Sequence, residues 1–151
     1  MNIKGLDVYS MMSTDIYRGI SKAFFPKWEG WKLLEAGADS YLVDKAVDSF
    51  YLTYFYYYLK VDMVGDRLIE FCIMNFATSH GKRKAIMKLE KAAGFPITGK
   101  PSASLMEFLS DNKNEVVPVL LLELLEFYEF IGDIRGGLWV LNIYREFKIG
   151  R

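Results

Sequence analysis

From residue 41 onward the apolar positions recur three and four residues apart rather than alternately, the period of helices that each bury one face. The first such segment spans residues 41–60, with Asp39 or Ser40 as its cap, and Val47, Tyr51, Tyr54 and Tyr58 share one face by four-three-four spacing. Residues 50–59 also have strand-like composition, but Asp44, Lys45 and Asp48 lead into them without a turn residue, which favours the helix. Asp66 then caps a helix over 67–78, with Leu68, Phe71, Cys72 and Asn75 on one row and Ile69, Ile73 and Phe76 widening the buried face. This helix is expected at the centre of the fold. Gly81 opens a turn into a helix over 82–93 with the stripe Ala85, Ile86, Leu89 and Ala93, and Gly94 ends it. A turn-rich bridge over 95–101 leads to a helix that Ser102 caps and that reaches about Leu109. Asn112 or Asn114 precedes a long helix over 115–131 with Pro118 in its first turn; Gly132 stops it, and residues 134–147 supply the last.

Ahead of residue 41 the pattern changes. Residues 1–14 have little periodicity and Gly5 interrupts any helix there, so they read as an arm preceding a single domain over 15–151. Within 15–31, DIYRGISKAFFPKWEGW, the run Tyr17-Arg18-Gly19-Ile20 reads as an extended piece bent at Gly19, and Ser21 can cap a helical turn that stops before Pro26. Trp28 and Trp31 stand three apart, which places both indoles on one side of a helical turn; residues 32–36 finish a short helix that Gly37 stops. The fold class expected is all-α, with about six or seven helices.

Composition narrows the picture. At 151 residues and 52% hydrophobic, the chain can bury a real core and does not fit disorder. Nineteen basic residues balance nineteen acidic ones with no long basic stripe, so nucleic acid is not an expected partner. Cys72 is the only cysteine and His80 the only histidine, so neither an intramolecular disulfide nor a multi-cysteine or multi-histidine metal site is expected, and no cofactor is implied. No Sec-type leader is recognisable and no run of about twenty uncharged apolar residues suggests a membrane span. Both absences fit a protein that is cytoplasmic at synthesis, or one carried outward by other machinery.

Three groups of side chains invite a chemical reading. The tyrosine face of Tyr51, Tyr54 and Tyr58 fits a sugar-stacking wall, though such stripes more often serve helix-on-helix packing with hydroxyls reaching the surface. Asn75, a polar amide on an apolar helix, needs partners and can hold a substrate, a loop backbone or a structural contact. Glu123, Glu126 and Glu129 form an acidic helix face of the solvated kind.

The stretch 17–31 also resembles the phrase "YRGIS…FFP.WEGW" of glycoside hydrolase family 108, lysozyme-like peptidoglycan hydrolases of phages and bacteria. Looser counterparts of the family's peptidoglycan-binding part are 75–81, 85–89 and 97–102, and Gly137, Trp139, Asn142 and Arg145 are similar to its closing phrase with altered spacing. The resemblance implies a compact lysozyme-like helical domain, peptidoglycan as a partner, and Tyr17, Trp28, Trp31, Tyr51, Tyr54, Tyr58 and Asn75 as glycan contacts. Family members cleave the glycan with a glutamate in a Glu-Gly-Gly-Tyr motif upstream of the tyrosine-glycine turn. That motif is missing here: counting back from Tyr17 runs into Met1, and Lys4-Gly5-Leu6-Asp7-Val8-Tyr9 has Lys4 where the acid would fall. The candidate substitutes are Asp7, Asp15 and Glu29. Two expectations follow. One is a non-catalytic lysozyme-like protein that binds peptidoglycan or serves as a structural piece of a phage particle or a secretion or injection assembly, with protein partners. The other is an active peptidoglycan hydrolase with a relocated acid. A general acid must be positioned, so the missing motif favours the first.

Overall fold

A computed structural model describes residues 16–149. Among these residues the chain forms seven α-helices and one two-stranded hairpin, as the all-α pattern predicts. Two compact units, Met1–Leu52 and Thr53–Arg151, are described in turn.

In the first unit, β1 (Ile16–Tyr17) pairs antiparallel with β2 (Ile20–Ser21), Tyr17 opposite Ile20. Arg18 and Gly19 between them both have positive φ, 50° and 84°, the two-residue turn whose twist suits a hairpin. The bend expected at Gly19 is thus a strand reversal. The helical turn expected after Ser21 forms, the Ser21 carbonyl accepting the Phe25 N–H at 2.8 Å just before Pro26, but Ser21 also ends β2 and its hydroxyl makes no capping bond. Helix α1 (Gly30–Glu35) starts two residues before the predicted segment, and α2 (Ser40–Tyr51) is capped by the Asp39 carboxylate, which accepts the Tyr41 N–H at 2.8 Å. Ile20, Trp31 and Val47 form the core, with Tyr17, Phe25, Trp28, Leu34, Phe50 and Tyr51 packed around them.

The single helix expected over 41–60 divides. After Tyr51 the segment Leu52–Tyr57 is π-helical, and its i→i+5 pattern underwinds the chain. The residues Val47, Tyr51, Tyr54 and Tyr58 therefore do not belong to one regular α-helix. A left-handed Lys60 ends the segment, and a 3-10 turn, Val61–Met63, follows.

The second unit continues with α3 (Arg67–His80), α4 (Lys82–Ala93), α5 (Ala103–Asp111), α6 (Lys113–Ile131) and α7 (Ile134–Ile149). The predicted caps form: Asp66 accepts the Ile69 N–H at 3.1 Å, and Ser102 accepts the Leu105 N–H at 3.1 Å. The hub is α6, packed on α4, α5 and α7, rather than the expected α3. The buried face of α3 is also turned by one position. Ile69, Cys72, Ile73, Phe76 and Ala77 are inside, while Phe71 is 53% exposed.

Two residues turn α6 into α7. Gly132, in the left-handed region at φ 73°, closes α6, and the Asp133 N–H reaches back to the Tyr128 carbonyl at 2.8 Å. The Asp133 carboxylate then accepts the Gly136 N–H at 2.9 Å and starts α7. No described helix is long and apolar enough to cross a membrane.

Candidate functional site

Four of the predicted glycan contacts meet in the first unit. Tyr17 stacks beside Trp28 at 6.4 Å, Trp28 meets Trp31 edge-on at 5.1 Å and 90°, and Phe50 links Trp28 to Tyr51. The shared side inferred from the spacing of Trp28 and Trp31 is realised, but the polar handles point inward. The Trp28 indole N–H donates to the Ala46 carbonyl at 3.2 Å and that of Trp31 to the Phe25 carbonyl at 2.8 Å. The Tyr51 hydroxyl donates to the Arg18 carbonyl in the hairpin turn at 2.7 Å, and burial pushes its pKa up. An Arg18–Asp44 ion pair at 3.2 Å also ties that turn to α2. Trp31 is buried; Tyr17, Trp28 and Tyr51 are half-buried. The cluster anchors the β-hairpin to α2 through groups that a sugar would otherwise contact.

Glu29 lies at the start of α1, exposed, and its carboxylate has no hydrogen-bond or ion-pair partner among the described residues. The other two candidate acids, Asp7 and Asp15, lie outside the described residues, as does the arm over 1–14.

In the second unit Tyr54 and Tyr58 clasp a cation. The Lys82 ammonium sits 3.3 Å from the Tyr54 ring centroid and 4.1 Å from that of Tyr58, and donates to the Tyr54 carbonyl at 3.0 Å. Burial holds its pKa below the usual lysine range. A sugar stacking on the ring faces that Lys82 covers would have to displace it. Lys82→Ala is expected to lower stability by about 1 kcal/mol, read as a fall in the urea midpoint at constant slope, while Lys82→Arg keeps most of it. Asn75 is half-buried on α3, and its backbone carbonyl accepts the Thr78 hydroxyl at 3.2 Å.

Sequence reasoning missed Glu90, the one buried charged residue among the described residues, at 4% exposure on the inner face of α4. One carboxylate oxygen accepts the Thr98 and Gly99 N–H groups, each at 2.8 Å, and the other accepts the Thr98 hydroxyl at 2.5 Å. Burial alone would raise its pKa. The Thr98 hydroxyl, the two amides and the nearby Arg83 guanidinium outweigh it and hold the carboxyl below its ordinary value. An ionised carboxylate with donors on both oxygens holds a loop in place; it has no proton to give to a leaving group. The signal was available in its position four after Ile86, on the buried row of the helix.

His80 sits among aromatic rings, 5.0 Å from Phe76, 4.9 Å from Phe127 and 5.3 Å from Tyr128. Burial and the nearby Lys84 cation lower its pKa, which favours the neutral imidazole. No group of three metal-ligating side chains occurs among the described residues.

An open groove of about 420 Å³ runs between the end of α6 and the start of α7, lined by residues that include Leu125, Tyr128, Glu129, Ile134, Leu138 and Leu141. Its walls are mostly apolar and offer contact area rather than a reactive constellation. Comparison of the chain with protein families, with characterised proteins and with solved structures returns no match.

Proposed function

We propose that this chain is a non-catalytic, lysozyme-like helical component of a phage particle or of a secretion or injection assembly, and that it works through contact surfaces rather than a reactive centre. The observation that carries this reading is the solvent-facing apolar wall of the α6–α7 hairpin, where Ile134, Leu138 and Leu141 are 77%, 56% and 50% exposed beside the groove. Contiguous exposed apolar surface of this kind marks interaction sites. The surroundings of the carboxylates support it: Glu90 is committed to backbone donors, and Glu29 is exposed at the start of α1 rather than seated in a cleft.

Of the two roles in such an assembly, protein contact is the better supported. The indole and phenol groups of Trp28, Trp31 and Tyr51 are spent on backbone carbonyls, and Tyr54 and Tyr58 hold Lys82. The test is incubation of the purified protein with insoluble peptidoglycan, following both pelleting of the protein and release of soluble muropeptides. The expected result is neither. Release that disappears in Glu29→Gln, Asp7→Asn or Asp15→Asn would overturn this reading in favour of an active hydrolase, and pelleting without release would make the wall the partner.

A further inference from the structure

We infer that the groove between the end of α6 and the start of α7 is a binding site for a small amphiphilic cation, an alkyl or aryl ammonium whose apolar body lies along the leucines and whose charged head meets Glu129 and Asp133. The inference goes beyond the proposed function and does not rest on it.

The shape of the groove follows from the hairpin. Gly132 closes α6, and the two helices then pack with Leu125 beside Gly137 and Tyr128 beside Gly136. Residue 137 carries no side chain, and a channel of about 420 Å³ stays open between the helices, within the size range of small-molecule sites. Leu125, Leu138 and Leu141 wall the part away from the turn. From Ile134 to Leu141 the helix rises about 10 Å, the reach of a medium-length alkyl chain.

Charge gathers at one end only. Glu129 and Asp133 line the groove where the chain turns, and no lysine, arginine or histidine lines it. Neither carboxylate has an ion-pair partner among the described residues. Asp133 gives one oxygen to the Gly136 N–H, so its charge and the N-terminus of α7 offset each other. Glu129 then stands with the C-terminal carbonyls of α6, whose last turn holds no basic residue, and the net potential there is negative. Arg135, the cation nearest in sequence, is exposed and is not part of the groove wall. His80 lies within reach of the Asp133 charge, and burial and Lys84 favour its neutral form. The wall feels the same carboxylate: burial first, and the Asp133 charge second, push the Tyr128 phenol up to about 12.

Charge therefore separates the possible occupants. The leucines accept any hydrocarbon body, but an anionic head is repelled at the turn and a neutral head draws nothing from it. An ammonium head gains a charge-assisted contact with Glu129.

The test is calorimetric titration of the full chain with octylammonium, octanoate and octanol, each below the concentration at which it self-assembles. Octylammonium is expected to bind at least about tenfold tighter than the other two, more weakly as salt rises. The amide NMR shifts it causes should fall within residues 125–141. Glu129→Lys, a change at an exposed position, is expected to invert the preference, so that octanoate binds and octylammonium is weakened at least about tenfold. Gly137→Leu, which puts a side chain into the channel, should abolish binding of both. No binding of octylammonium, equal affinity for the three probes, shifts centred elsewhere, or a preference that Glu129→Lys leaves unmoved would overturn the inference. Muropeptide release would sink the functional reading and leave this site standing.

Discussion

Glu90→Ala is expected to cost about 3 kcal/mol, because it strips a common acceptor from two backbone amides, that of Gly99 buried, and a hydroxyl. The Thr98 and Gly99 N–H groups both converge on one Glu90 oxygen, and the Thr98 hydroxyl on the other. Chemical denaturation would read the loss, and hydrogen exchange should place it first at Thr98 and Gly99. Glu90→Gln should be milder, about 1–2 kcal/mol: its carbonyl still serves the amides, and its NH2 can donate to the Thr98 oxygen. The same carboxylate sets an acid limit. Its folded pKa lies below the ordinary 4.5, so the unfolded chain binds the extra proton and stability rises with pH across that interval. The contribution is complete above the unfolded value and is lost as pH falls through the folded one. Glu90→Gln should flatten that part of the stability profile. His80 adds a slope of the same sign at higher pH: its folded pKa lies below 6.5, so stability declines as pH drops through 6.5 toward the folded value.

Gly136→Ala is the second large effect, about 2–3 kcal/mol of destabilisation, and its neighbour is the control. A Cβ at Gly136 would overlap the Tyr128 ring, whereas one at Gly137 would sit 3.6 Å from Leu125, an ordinary contact. Tyr128 has little freedom to yield. It is 3% exposed, and Phe76, His80, Phe127 and Trp139 surround it. Gly137→Ala should instead be neutral or stabilising by up to about 1 kcal/mol, since alanine is the better helix former. A thermal scan of the pair reads both. For a chain of this size the first corresponds to a fall of roughly 4–12 °C in Tm. Equal effects at the two positions would show that helix propensity, not the close approach of α7 to Tyr128, governs the hairpin.

The missed features share a cause. Phe71 and Phe76 are equally apolar in sequence, yet one is 53% exposed and the other 1%, because the face that α3 buries is chosen by its neighbours α4 and α7. Tyr54 and Tyr58 fit either a stacking wall or helix packing in sequence, and only the fold brings Lys82, 28 residues from Tyr54, to its backbone carbonyl and against both rings. Glu90 stands among lysines and arginine on its helix, and it is the loop at Thr98, brought over it by the fold, that makes it a buried acceptor. The π-helical segment after Tyr51 had no breaker residue to announce it.

What the sequence determined by itself, outside the segment over 41–60, is where the helices lie and how they end. Asp39, Asp66 and Ser102 cap the helices that follow them, and Gly132 stops α6, because capping and left-handed turns are decided within four residues of chain. Only the tertiary structure decided which faces are inside, which tyrosines are already engaged, and that the α6–α7 hairpin leaves Leu138 and Leu141 facing solvent. Those outcomes depend on desolvation and pairing between residues far apart along the chain, and local pattern carries no information about which distant partner arrives.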